Sequence, residues 1–173
     1  IIPGFRAQGK QEGEQLDQVQ QLEEKMASSR GKLLASVEGL DEGAWDWQPA
    51  DDRWSVRLTL AHVGSAHWSH LEVARRVAGG KTVDLPGFEL DEWNEARVAE
   101  RAGWTTEQVL ADLQSAQQAT SVFMASLDAE TLEARGTHPA LGEVSVGQAL
   151  RIIALHDSLH RREIIKLRRE MDT

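Results

Sequence analysis

Apolar residues recur along this chain at three- and four-residue steps, the spacing that lays them on one face of an α-helix. From about Glu14 to Leu40 the repeating positions are Leu16, Val19, Leu22, Met26, Leu33, Val37 and Leu40, which predicts a long first helix. Gly31 inside it costs about 1 kcal/mol relative to Ala, which close packing would offset. Asp41-Glu42-Gly43 reads as its stop. Trp45-Asp46-Trp47-Gln48-Pro49 reads as an aromatic connection, because Pro49 prevents simple continuation of a helix. A second long helix is predicted from an N-cap at Ser55 to Ala78, ended by Gly79-Gly80. The period then breaks up to Trp104, leaving room for one short helix, Asp91 to Arg101. A capping box, Thr105-x-x-Gln108, opens a third long helix that runs to Leu127. After a looser segment holding Gly136-Thr137-His138-Pro139 and Leu141-Gly142, a second box, Ser145-x-x-Gln148, opens a fourth that runs to Arg169. Lys166, Arg168 and Arg169 give its last turns the sign that a helix C-terminus prefers.

Four long amphipathic helices and no convincing strand predict an all-α four-helix bundle. Residues 79–104 are too many for a tight hairpin, so they form a long crossover that leaves the second and third helices parallel (up-down-down-up). With 173 residues the chain suits one domain, expected over 14–170, after a flexible tail at 1–13.

Composition narrows the function. No apolar run approaches the roughly 20 residues that span a bilayer, and the first residues are not a signal-peptide core. With no cysteine there is no disulfide, thiolate ligand or catalytic thiol, which agrees with a reducing, cytoplasmic setting. A net charge of −9 argues against nucleic acid and against an anionic membrane surface. The expected partner is a small molecule or a second copy of the chain.

Of six histidines, His62, His67, His70, His138, His156 and His160, three carry the candidate chemistry. His156 and His160 are four apart, so both imidazoles reach one side of the fourth helix. They share its apolar stripe with Ala149, Ile152, Ile153, Leu159, Ile164 and Leu167, and buried titratable rings need partners. His62 lies on the second helix beside the small residues Ala66 and Ser69. If the second and fourth helices are antiparallel, it stands within roughly 3–9 Å of the other two along the axis. Three neutral imidazoles suit a divalent metal such as zinc, nickel, iron or cobalt, and three protein ligands leave a position open. His67 and His70 read as surface or edge residues, and His138 as a loop residue. His156-Asp157-x-x-His160 superficially copies the zinc-protease motif. Asp157 is a methylene short for that general base, though it could orient a ligand or sit in solvent.

Several stretches in order resemble the DinB-like superfamily of metal-binding bundles: Trp54-Ser55-Val56-Arg57, Leu60-Ala61-His62-Val63, Asp91-Glu92-Trp93-Asn94, His138 through Ser145, and His156-Asp157-x-x-His160. The resemblance spans roughly Leu16 to Arg169. It implies a bundle with a long crossover, one metal held by His62, His156 and His160, and frequent homodimers. It also implies a mycothiol- or bacillithiol-dependent transferase or isomerase, or a hydrolase. Where a Gln is common three residues after the last histidine, this chain has Glu163, a fourth ligand or a neutraliser of nearby arginines. The expected function is a metal-dependent enzyme on a small molecule, either a thiol-dependent S-transferase using a low-molecular-weight thiol or a hydrolase. The alternative is a non-enzymatic metal-binding or stress-response bundle. Arg57, Asn94 and Arg151 are candidates to contact a polar substrate, and no catalytic residue is assigned.

Overall fold

The computed structural model describes residues 5–50 and 53–171, with side chains from Gln18 onward. Its elements are α1 (Phe5–Ala35), α2 (Glu42–Asp46), α3 (Val56–Ala78), α4 (Leu90–Ala99), α5 (Thr106–Met124), α6 (Ala129–Glu133), β1 (Arg135–His138), β2 (Gly142–Ser145) and α7 (Val146–Met171). Of the long helices α1, α3, α5 and α7, the last three start where their side chains direct. Ser55 Oγ accepts from Leu58 N at 3.3 Å. Thr105 with Gln108, and Ser145 with Gln148, close the two expected capping boxes. No helix among the described residues is long and apolar enough to cross a membrane.

Packing sets the helix directions. Val56 and Leu60 at the start of α3 cluster with Ile164 and Leu167 late in α7, while Val73 and Val77 cluster with Val146 and Leu150 at its start. These two helices are therefore antiparallel. The start of α3 also packs on Val109 and Leu113 at the start of α5, which makes that pair parallel. On α1, Leu22 joins the cluster at the start of α7 and Leu33 the cluster late in α7, so α1 runs with α7. The order is up-down-down-up, and α4 lies in the crossover.

Three local expectations are corrected. α1 ends at Ala35 rather than Leu40, since the chain turns through Gly39 with φ of 76°. Asp41, expected in a stop, caps the short α2 by accepting from Ala44 N at 2.9 Å. The expectation of no strand gives way to an antiparallel hairpin pairing Arg135 with Ser145 and His138 with Gly142. Four-residue strands hold too few positions for a period to show, and such a ribbon is unstable alone. Docking supports it here, because Gly136 lies so close to α3 that an added Cβ would stand 2.8 Å from Val77 Cγ2. Of the expected tail, the backbone is helical from Phe5; residues 1–4 and the side chains through Asp17 lie outside the described residues.

The two apolar clusters are separated by a buried polar layer. Arg30 of α1 donates from Nε and Nη2 to the two oxygens of Asp157 on α7, at 2.8 and 3.0 Å. Its Nη1 donates to Leu113 O on α5 at 3.2 Å, and Nη2 also donates to His67 Nδ1 on α3 at 2.9 Å. An Arg donor fixes His67 Nδ1 as acceptor, so its Nε2–H donates to Thr120 Oγ1 at 2.8 Å. Thr120 passes the chain on to Ala116 O at 2.9 Å. All four long helices are thus tied at one level. His67, expected at the surface, is buried within this layer, and so is Asp157. Burial, with Arg30 beside it, pushes the His67 imidazole down to about 3. Burial raises the Asp157 carboxyl, against the pull of Arg30.

Asp157→Leu strands a buried guanidinium and is expected to destabilise by about 3–5 kcal/mol, most of it recovered in the Arg30→Met/Asp157→Leu pair. Urea unfolding of both variants measures this. Gly136→Ala forces a methyl against Val77 and should lose about 1–3 kcal/mol in the same assay. Between pH 3 and about 6.5 the unfolded His67 binds a proton that the native ring refuses. Its contribution to stability is therefore full above about pH 6.5 and declines as pH falls. His67→Gln should lower the proton uptake on unfolding by about one across that window, read from the slope of stability against pH.

Candidate metal centre

His62 stands on the second turn of α3, facing His156 and His160 near the middle of α7. His156 Nε2 lies 3.1 Å from His62 Nε2 and 3.1 Å from His160 Nε2, and one ligand atom from each ring falls within 4.8 Å of the others. Hydrogen bonds alone cannot satisfy this cluster. The His156 nitrogen carries either one proton or one lone pair, yet it faces two neighbours. A divalent ion is a better fit. Two nitrogens about 2.05 Å from one ion are ~2.9 Å apart at a right angle and ~3.3 Å apart at the tetrahedral angle, and the 3.1 Å of both pairs that His156 makes lies between.

The surroundings prepare the rings for this role. His160 Nδ1 meets Glu163 Oε2 at 2.6 Å, which places the ring proton on Nδ1 and leaves Nε2 as a lone pair. Glu163 therefore stands on the far side of His160 from the cluster. Its carboxyl is held below the ordinary value, chiefly by the His160 hydrogen bond. Burial, then the charge of His160, pushes the His62 ring down to about 4. Burial is also the largest cause that takes His156 to about 2. Both therefore present neutral nitrogens at neutral pH. Trp54 packs on His62 with ring centroids 4.8 Å apart, and His62 Nδ1 is buried without a hydrogen-bond partner among the described residues.

Beside the cluster opens a cavity of about 580 Å³, walled by α3, the crossover, α4 and the hairpin tip and lined in part by His62 and His156. His70, expected at the surface or an edge, and His138, expected in a loop, line it too. His138 Nδ1 accepts from Ala140 N at 3.1 Å, so its proton is on Nε2, which donates to His70 Nδ1 at 3.0 Å. The His70 ring lies 6.0 Å from His156, centroid to centroid. Only the docking of the hairpin on α3 brings this pair together, and no spacing in the sequence announces it. Asn94, a candidate for substrate contact, lines the cavity. Arg57 does not reach it, being clamped by Asp46, Glu42 and Thr106. Arg151 is exposed and also stands outside the cavity lining. Asp157 neither orients a histidine nor meets solvent, because Arg30 occupies both of its oxygens. Leu159, read as part of the apolar stripe, is half-exposed, since the buried face of α7 turns through Asp157 instead.

Known structures share this architecture. YfiT from Bacillus subtilis, described as a probable metal-dependent hydrolase with an unusual four-helix bundle topology, superposes with a TM-score of 0.74 at 19% identity, covering 90% of this chain and 89% of that one. TT2238, a four-helix bundle protein, gives 0.61 at 21% identity, over 84% and 96%. The colibactin self-resistance protein ClbS, solved in complex with double-stranded DNA, gives 0.70 at 16% identity, over 87% and 95%. This last finding corrects the exclusion of nucleic acid, for a protein of this fold holds a DNA duplex. Net charge was a poor guide because binding depends on local charge. Even in this acidic chain, Lys32, Arg161, Arg168 and Arg169 gather in one cleft between α1 and α7. No curated protein matches the chain significantly. The DinB superfamily model matches residues 26–164, a span that includes all three clustered histidines. The chain belongs to the DinB superfamily.

Proposed function

We propose that this protein is a metal-dependent enzyme acting on a small molecule, with His62, His156 and His160 as the metal ligands. The observation that carries the reading is the convergence of three Nε2 atoms at the wall of a cavity large enough for a drug-sized ligand. Three protein ligands leave at least one coordination position for a reactant, the pattern of catalytic rather than structural sites. Burial favours the neutral rings at His62 and His156, so metal uptake near pH 7 displaces no proton from them. Glu163 sets the His160 tautomer and adds basicity to its outward nitrogen. When bound, a divalent ion such as zinc, nickel or iron supplies Lewis acidity and lowers the pKa of a coordinated water or thiol.

Hydrolysis and thiol transfer differ in which of those two is activated. The description of YfiT as a metal-dependent hydrolase favours water. A transferase would need a low-molecular-weight thiol from outside, since the chain has no cysteine. The His70–His138 pair, bonded and within reach of the same cavity, is placed to hand a proton to or from a bound reactant. A non-enzymatic metal-binding bundle would not need a cavity beside its ion.

Purified protein should carry about one divalent ion per chain by elemental analysis, and His62→Ala or His156→Ala should lose it. Unchanged metal content in both variants would sink the site. Glu163→Ala should weaken metal affinity about 10–100-fold in a chelator competition, while Glu163→Gln, which keeps an acceptor for Nδ1–H, loses less.

A further inference from the structure

We propose that the cavity takes a flat, aromatic small molecule bearing one acidic group, with the apolar body against the crossover and hairpin and the acid held by Arg97 and Arg101. The inference names a substrate class for the reaction read above and rests on that reading for the chemistry at the His62 end. Binding of the aromatic acid does not itself require the ion.

The apolar half of the argument is exposure. Three of the large hydrophobics left exposed in the described residues, Leu85, Leu90 and Leu141, line this one cavity. They come from the crossover loop, the start of α4 and the hairpin turn, so the fold gathers them at a common mouth. Contiguous unburied apolar surface of this kind marks a binding site. Flatness comes from the aromatic wall. Trp93 and Phe88 stand 5.8 Å apart by ring centroids, and the guanidinium of Arg97 caps the Trp93 ring at 4.6 Å. A ring inserted here meets aromatic and aliphatic groups on several sides.

The acidic half comes from surplus donors. Four buried polar side-chain atoms lack a hydrogen-bond partner among the described residues, and three belong to residues lining this cavity: His62 Nδ1, Arg97 Nε and Arg101 Nε. Arg97 and Arg101 both turn to the exposed Glu100, at 3.0 and 3.8 Å. Arg101 Nε approaches Asp112 Oδ2 only to 3.6 Å, beyond hydrogen-bond range, while Trp68 Nε1 holds the other Asp112 oxygen at 2.9 Å. Each guanidinium offers five N–H donors, and each makes one close hydrogen bond here. Two under-used guanidinia beside apolar walls select a carboxylate-like group, which accepts several N–H bonds at once.

Tryptophan fluorescence tests this directly, since Trp68 and Trp93 line the cavity. The probes are 2-naphthoate and its uncharged counterpart 2-naphthylmethanol, titrated into the full chain before and after chelator treatment. The expected result is saturable one-to-one quenching by naphthoate, about tenfold tighter than by the alcohol, with and without metal. Arg97→Gln and Arg101→Gln should each cut that preference several-fold, and Leu141→Asp should weaken both probes. Leu141 and Arg97 are partly exposed, so their variants keep the test valid if Arg101→Gln fails to fold. Binding of neither probe, or equal binding of the two, overturns the proposal. A preference that survives the arginine variants but vanishes on chelation also overturns it, since the acid would then sit on the ion. Protein that takes up no divalent ion when one is supplied, yet binds naphthoate as expected, defeats the metalloenzyme reading alone, and a loaded metal site without naphthoate binding defeats this inference alone.

Discussion

A guanidinium buried among four helices must have its hydrogen bonds satisfied, and the way Arg30 meets that demand organises the bundle. Its donors reach Asp157 on α7, Leu113 O on α5 and His67 on α3, so one side chain from α1 touches every other long helix. Apolar clusters stand on either side of this level and supply most of the burial, but they are tolerant of sliding. A bidentate ion pair is not, because its partners lose hydrogen bonds with small displacements. The layer therefore sets the axial register of α7 against α1 and α3. His156 immediately precedes Asp157, so the same register carries His156 and His160 to the level of His62.

The candidate metal centre follows from that register and adds its own constraints. Three imidazole nitrogens at 3.1 Å contacts are an unstable arrangement as hydrogen bonds and a suitable one as ligands. Burial keeps the His62 and His156 rings neutral, and Glu163 fixes the His160 tautomer from behind. The two buried histidine systems of this protein thus play opposite parts. In the Arg30 layer, His67 is fully bonded at both nitrogens and inert. At the cavity wall, the nitrogens of the triad converge on one another without mutual satisfaction.

What lies beside the triad is made by connections rather than by the bundle. The crossover contributes Leu85, Phe88 and Trp93, and the hairpin contributes His138 and Leu141. A parallel α3–α5 pair requires a long link between opposite ends of the bundle, and that link passes over the open side of the triad. Topology thereby supplies both the bundle and the wall of its cavity. Arg97 and Arg101 follow from the same link, placed by α4 and the turn after it.

The all-helical class, the helix starts at Ser55, Thr105 and Ser145, and the candidacy of His62, His156 and His160 were legible in the chain, because helical periodicity and capping are local rules. The antiparallel α3–α7 pairing could be inferred from axial levels alone. Asp157, His67, His70 and His138 could not be read correctly. Each owes its environment to residues 37 to 127 positions away, whether Arg30, Thr120 or a partner across the hairpin dock. Net charge misled about nucleic acid for a related reason, since a sum over the chain carries no information on where charges meet. Sequence by itself determined the elements and the faces they present; tertiary structure decided which polar groups those faces bury together, because hydrogen bonding between distant side chains depends on register that no local pattern encodes.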